Sequence, residues 1–305
     1  MQPLHDDEIP VSPALLRTLV ATVPGLAGAP VHPVGGTGTD HVLARVGDEL
    51  VLRVPRTAGA ATSLLAEVGH LAAVAPHVPV PVPEVLHVGE PAAGYPHPWA
   101  LLRWIDGTDA WDARDGLEDP HGDALAADLA DLVLSLRAAP ALPVPRRTAG
   151  QRGGPLDSVL ERSRRWVAGA EDPLPTWVDT GAVLRLVERS AKAADDDVPY
   201  VLTHGDLIPG NVLVRDGRLA AVIDWGYGSL ADPALDLVAG WSLLGPRARA
   251  TFREAVAADE ATWERARANA LEQALGALGY YTARPHALAD VMARTLCRIL
   301  DEAAA

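Results

Sequence analysis

The sequence predicts an α+β protein, with a small strand-rich amino-terminal part and a larger, mostly helical carboxy-terminal part. Three observations carry this reading. Apolar and β-branched runs joined by a tight turn fill residues 31–54, apolar residues at helical spacing recur between 123 and 301, and one Asp-Gly hairpin interrupts those helices. With 305 residues, 49% of them hydrophobic and 22% charged, the chain is long enough for one large or two moderate domains.

Taken in order, VHPV is followed by a glycine-rich loop, GGTGTD, and then HVLARV and LVLRV flank a short GDE turn, a hairpin signal. AATSLLAEVGHLAAV next places Leu64, Leu65, Val68, Leu71 and Ala72 at helical spacing. Prolines crowd residues 76–98 and exclude a helix there, leaving a short strand around Glu84 to Val88. WALLRWIDG reads as a strand ending in a turn, and the domain boundary is expected at Asp106–Gly107, giving parts 1–106 and 107–305.

Beyond it, Leu125, Leu129, Leu132, Val133 and Leu136 share one helix face, and amphipathic segments follow at 156–168, 180–193, 233–244, 246–258, 260–279 and 286–301. Asp216-Gly217 sits between NVLV and LAAVID, the strongest short hairpin signal. A two-residue turn there sets Asn211 opposite Val222, with Asp224 two residues further on the same face.

Charge and composition narrow the partners. A formal net charge of -14 opposes sequence-independent nucleic-acid binding, which rests on Lys and Arg, and favours a cationic small partner. No run approaches the roughly 20 apolar residues of a membrane span. The first 25 residues lack a secretory pattern, and the single Cys297 cannot form an intramolecular disulfide, so a cytoplasmic protein, monomer or homodimer, is expected. The histidines show no paired metal-ligand spacing on a shared helix, so zinc is not expected.

The chemistry concentrates in LTHGDLIPGNVLV (202–214) and the IDWG that follows it. Asp206, Asn211 five positions on and Asp224 eighteen positions on resemble the H-R-D-L-x-x-x-N loop and D-F-G of protein-kinase-like phosphotransferases, with Gly205 in the arginine's place. In protein kinases that arginine receives a phosphorylated activation loop, so its absence points to an enzyme without such a switch. Mg²⁺ takes hard oxygen ligands and keeps several waters, so Asn211, Asp224 and nucleotide phosphates make a sufficient site. Asp206 would orient an acceptor hydroxyl and take its proton. His204 is read as support, hydrogen-bonded to backbone.

The amino-terminal half offers matching parts. Gly36, Thr37, Gly38 and Thr39 could cover phosphates, although turn formation explains them equally well. Kinases use a third-strand lysine paired with a helix glutamate, but Lys192 is this chain's only lysine and lies far away. Arg53 interrupts an apolar strand, where an unpaired charge is costly, so it needs an anionic partner. Glu67, on or beside the buried helix stripe, supplies one, and the guanidinium can hold phosphates in bidentate fashion. Acidic runs at 6–8 and 195–197 read as solvated loops, and Trp111, Asp112 and Asp115 as surface or core.

HGDLIPGNVLVRDGRLAAVIDWGYGSLADPALDL resembles the aminoglycoside phosphotransferase family, whose members include macrolide phosphotransferases and small-metabolite kinases. The resemblance runs from about Val31 to Tyr281. It implies a two-lobed protein-kinase-like fold, a small antiparallel sheet lobe with one main helix and a larger helical lobe, with ATP or GTP between them. It implies that ALLRWIDG is the hinge, with the backbone of Arg103 and Ile105 meeting the purine, and that Asp232 and Asp236 support the catalytic loop. The expected function is O-phosphotransfer to a hydroxyl of an aminoglycoside-type or other small antibiotic. Alternatives are a macrolide or nucleoside-antibiotic phosphotransferase, a sugar or amino-alcohol kinase, and a nucleotide-binding pseudokinase.

Overall fold

Strand pairing follows the apolar runs. The computed structural model describes residues 4–35, 38–117, 121–140, 142–169, 172–195, 197–284 and 286–304. Helix α1 (Pro13–Ala21) opens the chain. The side chain of Ser12 caps it by accepting from the Leu15 N–H, and Pro13 occupies the first turn. The sequence reading passed over this helix, although its cap and its buried Leu16, Leu19 and Val20 spell it out.

Five antiparallel strands form the amino-terminal sheet in the order β1-β2-β3-β5-β4: β1 (Val31–Val34), β2 (His41–Val46), β3 (Leu50–Pro55), β4 (Val85–Gly89) and β5 (Trp99–Arg103). Alternation decides what each face meets. Leu52, Val54, Trp99 and Leu101 share a core with α1, whereas Ala100 and Leu102 join the core that includes α2 (Ala58–Val74). Arg53, between Leu52 and Val54, therefore points to the α2 side.

Of the residues expected on the buried face of α2, Leu64 and Leu71 are buried. Leu65 is 47% exposed and Ala72 is exposed, because the inward stripe runs through Leu64, Glu67, Leu71 and Val74. The segment Ala58–His77 has the length and apolarity of a membrane span by composition. In the fold it packs on β3, β5 and residues 225–227 and carries the buried Glu67.

Asp106–Gly107 lie between β5 and β6 (Thr108–Asp109), which pairs with β8 (Val212–Arg215) rather than with the first sheet. The larger part contains α3 (Asp123–Ala138), α4 (Leu156–Val167), α5 (Thr180–Ser190), β7 (Val201–Thr203), β9 (Arg218–Val222), β10 (Ser229–Ala231), α6 (Ala239–Ser242), α7 (Pro246–Ala255), α8 (Glu260–Thr282) and α9 (Ala287–Ala304). β6, β8 and β9 make one small sheet, and β7 with β10 another. α8 runs through the middle of the helices, packed on α4, α5 and α9.

Two expectations are corrected here. The hairpin register is Val212 opposite Val222, not Asn211 opposite Val222, because a β-bulge shifts the pairing between Leu213 and Val214 and leaves Ala220 unmatched. Asn211 instead accepts through its carbonyl from the Ile223 N–H, at 3.0 Å. The helix expected at 233–244 is broken into a 3₁₀ turn, Leu235–Val238, and the single turn of α6. Asp232 accepts from the Ala234 N–H at 2.8 Å, a local bond that competes with continuous helix.

Candidate active site

β7 delivers the chain into His204-Gly205-Asp206, and a 3₁₀ turn at Pro209–Asn211 carries it into β8. Gly205 has φ +82°, and a Cβ there would lie 2.6 Å from the Tyr227 carbonyl oxygen. A glycine is thus required by backbone shape and close approach, a reason independent of the arginine it replaces in the motif.

Asp236 fixes this loop from behind, accepting from the His204 and Gly205 N–H groups at 2.8 Å each. Asp232 pairs with Arg265 of α8 at 2.8 Å. His204 is fully buried; its Nε2 lies 3.1 Å from the Ile223 carbonyl, and its Nδ1 accepts from the Asp206 N–H at 3.2 Å. This pattern assigns the proton to Nε2, and burial pushes the imidazole's pKa down, so the ring is a neutral brace.

Asp206 accepts from the Asn211 side-chain nitrogen at 3.0 Å, and that nitrogen also donates to the Asp206 carbonyl at 2.9 Å. With the amide nitrogen committed, the amide oxygen of Asn211 is the atom left for a hard cation. Asp224 adopts left-handed backbone, φ 61°, an uncommon conformation outside glycine that concentrates at functional sites. Its side chain keeps 34% exposure.

Arg53 ties the two halves together. Its Nη1 donates to both Glu67 oxygens at 2.7 Å, while its Nη2 donates to Asp224 at 3.0 Å and lies 3.3 Å from His41 Nδ1. Burial pushes Asp224 up, but the Arg53 charge outweighs it and holds the carboxyl below the ordinary range. Burial pushes Glu67 up against the pull of Arg53. His41, buried beside that guanidinium, is lowered to about 3 and is neutral. Glu67 also accepts from the Trp225 N–H at 3.1 Å, so α2 holds the residue following Asp224.

Two cavities meet at this point. One, about 320 Å³, is lined by Gly38, His41, Arg53, Arg103, Ile105 and Leu213. The other, about 640 Å³, is lined by Thr39, Arg147, Arg152, Asp206, Tyr227 and Tyr281. Asn211 and Asp224 line both, whereas Arg53 lines only the first and Asp206 only the second. The arrangement can hold a cation at the junction and an acceptor hydroxyl beside Asp206.

Not every expected residue sits as anticipated. Gly36 and Thr37 lie outside the described residues. Thr39 lines the second cavity instead of the first, and its hydroxyl donates to Asp40 at 2.9 Å. The Arg103 N–H is taken by the Glu84 carbonyl at 2.9 Å, and its side chain pairs with Glu84 at 2.6 Å. Glu8, read as part of a solvated acidic run, instead pairs with Arg56.

Sequence reasoning missed Arg152, which forms an ion pair with Asp206 Oδ1. It sits in QRGG, a loop whose composition gives no direction to a side chain. Burial pushes Asp206 above the ordinary carboxylate range against the pull of Arg152.

A family model described as "Phosphotransferase enzyme family" matches residues 32–271. The protein YcbJ of Bacillus subtilis (strain 168) is 29% identical over 140 residues, 44% of this chain and 43% of that protein, so the match spans less than half of its length. Among solved structures, the GDP and kanamycin complex of APH(2")-IIia is 20% identical with a TM-score of 0.72, covering 95% of this chain and 98% of that one. Macrolide 2'-phosphotransferase MphH from Brachybacterium faecium is 24% identical with a TM-score of 0.58, covering 93% and 97%. These similarities give the fold, the two-lobed protein-kinase-like arrangement with its amino-terminal antiparallel sheet.

Proposed function

The chain belongs to this phosphotransferase family, and from that premise we propose that it transfers the γ-phosphate of ATP or GTP to a hydroxyl of a small antibiotic-type acceptor, aminoglycoside-type or other. The observation that carries the reading is the shared wall. Asn211 and Asp224 border both cavities, with Asp206 on one side only and Arg53 on the other. A phosphoryl group crossing from nucleotide to acceptor passes that wall. Solved relatives in complex with GDP and kanamycin, and with ADP, support a nucleotide as co-substrate.

The roles follow from position. Residues 1–106 form the nucleotide lobe and 107–305 the acceptor lobe. Gly38 and the backbone at Arg103 and Ile105 border the nucleotide, and Arg53, oriented by Glu67, faces its phosphates. Asn211 and Asp224 would hold Mg²⁺, which neutralises charge on the phosphate oxygens when bound. Asp206 accepts the acceptor O–H proton as the new O–P bond forms. The bond from γ-phosphorus to the bridging oxygen breaks, and the nucleoside diphosphate leaves. His204, Asp232 and Asp236 keep the loop in place.

Asp206→Asn tests the assignment, since the two side chains share a shape and differ in basicity. Removing a positioned base lowers kcat about 10²- to 10⁴-fold, with nucleotide affinity retained. An acceptor panel scored by the mass gain of one phosphoryl group supplies the assay. Full activity of the variant on any acceptor that is turned over would remove Asp206 from its role.

A further inference from the structure

Charge does not single out an acceptor for the second cavity, because its acids and bases answer one another. Arg152 pairs with Asp206, Arg162 with Glu272 at 2.6 Å, and Asp224 with Arg53 from the adjoining wall at 3.0 Å. Arg147 and Asp40 add one charge of each sign, Arg147 donating to the Ser229 hydroxyl at 2.8 Å and Asp40 accepting from the Thr39 hydroxyl at 2.9 Å. What the cavity asks of an acceptor is written in its unpaired neutral groups.

Helix α8 forms one wall through Gln273, Gly276, Ala277 and Tyr280, whose spacing of three, four and seven positions puts them on one face. Leu288 and Met292 of α9 line the same cavity. Among the described residues of this lining, Arg162 and Gln273 each hold a buried side-chain nitrogen without a hydrogen-bond partner. Arg162 is engaged through its other nitrogens, with the Gly150 carbonyl and with Glu272, both at 2.6 Å. Gln273 is 5% exposed, and its Nε2 meets nothing. A buried amide donor left unmade carries the full cost of its desolvation. Since no bond holds that nitrogen, rotation about the last torsion, which is broad in glutamine, can bring it to the cavity without breaking one. The short side chains of Gly276 and Ala277 leave the helix face low beside it.

We propose that Gln273 reads the acceptor, pairing its amide with an uncharged group that both donates and accepts, a hydroxyl or a carboxamide, on the part of the acceptor that lies against α8. An amide presents a donor and an acceptor side by side. An ammonium, which has no lone pair to offer, leaves Nε2 unmet, and a carboxylate, which has no proton to give, leaves the carbonyl oxygen unmet. The inference rests on the phosphotransferase reading and narrows its acceptor at one point other than the hydroxyl held by Asp206.

Two measurements on the full chain decide it, one without an acceptor and one with. Gln273→Met keeps the unbranched shape and removes both polar atoms; because the donor is unmet in the empty protein, the urea midpoint should hold or rise. A lowered midpoint reveals a structural bond and overturns the assignment. On any acceptor turned over in the mass-gain panel, Gln273→Met should raise the acceptor KM about fivefold and leave the nucleotide KM in place. Gln273→Glu, a carboxylate of the same shape, should raise the acceptor KM too. An acceptor KM that Gln273→Met leaves unchanged, or that Gln273→Glu lowers as it would for an ammonium, overturns the proposal. A panel in which nothing is turned over would sink the phosphotransferase reading alone, and the urea midpoint would still judge Gln273.

Discussion

Arg53 is buried between two carboxylates, so its removal is felt by both. Arg53→Ala leaves the buried Glu67 without its bidentate partner. Breaking a buried pair this way costs about 3–5 kcal/mol, measurable as a lower urea midpoint with an unchanged slope. Arg53→Lys keeps the charge but cannot reach Glu67, Asp224 and His41 through one planar fork, and should fall between the two. Arg152 acts on the base instead. Asp206 must be ionised to accept a proton, so activity is present above its pKa and fades as pH falls through it. Burial already lifts that pKa while Arg152 pulls it down. Arg152→Gln should therefore move the acidic limb of the kcat/KM profile to higher pH, and a limb that stays in place or moves down contradicts the assigned coupling. Arg53 and Glu67 were legible because a charge inside an apolar strand demands a partner. Arg152 was not, since its direction depends on the packing of Gly153 against Leu235, a contact between residues far apart in sequence.

Among the elements, α8 shows how the catalytic loop is held from a distance. It buries Arg265, Arg267, Glu264 and Glu272, and each has a partner in the surrounding helices or loops. Arg265 is the one facing the loop, through Asp232. Arg265→Met leaves that carboxylate buried and unpaired, and an equilibrium loss of about 3–5 kcal/mol is expected in chemical unfolding. The sequence marked α8 as a helix by periodicity but gave no sign of these buried charges, because helical spacing locates a face and not what covers it. The β8–β9 hairpin was similarly half readable. Asp216-Gly217 fixed the turn, while the bulge at Ala220 rests on local packing that no turn signal encodes. Asn211 and Asp224 still meet at the cleft, since the 3₁₀ turn and the left-handed Asp224 set their approach.

At the scale of the molecule, the lobes are joined through α2 and the Asp224–Tyr227 segment as well as through residues 104–107. His70 Nε2 lies 2.8 Å from the Trp225 carbonyl, and Glu67 takes the Trp225 N–H. At the amino-terminal end, His5 bridges Tyr280 of α8 at 2.9 Å and the Thr39 carbonyl at 3.2 Å, so Thr39 is tied to α8. A nucleotide bound between the lobes stabilises both. At a concentration of about 100 times Kd it should add about 2.7 kcal/mol to unfolding, seen as a raised thermal midpoint. Chelating Mg²⁺ should remove most of that gain, and Asp224→Ala should make it indifferent to Mg²⁺. A gain that survives both changes would move the metal away from Asp224.

The guanidinium at position 53 also changes how this protein can be found. Nucleotides bearing an acyl-phosphate warhead tag their targets by acylating an amine in the phosphate pocket. Here they would meet Arg53; burial pulls its pKa down, but the Glu67 and Asp224 carboxylates outweigh this, raise it above the ordinary value and keep the guanidinium protonated. The chain's only lysine, Lys192, lies exposed on a 3₁₀ turn after α5. A lysine-directed proteomic survey would therefore pass over this enzyme while it was fully loaded with nucleotide.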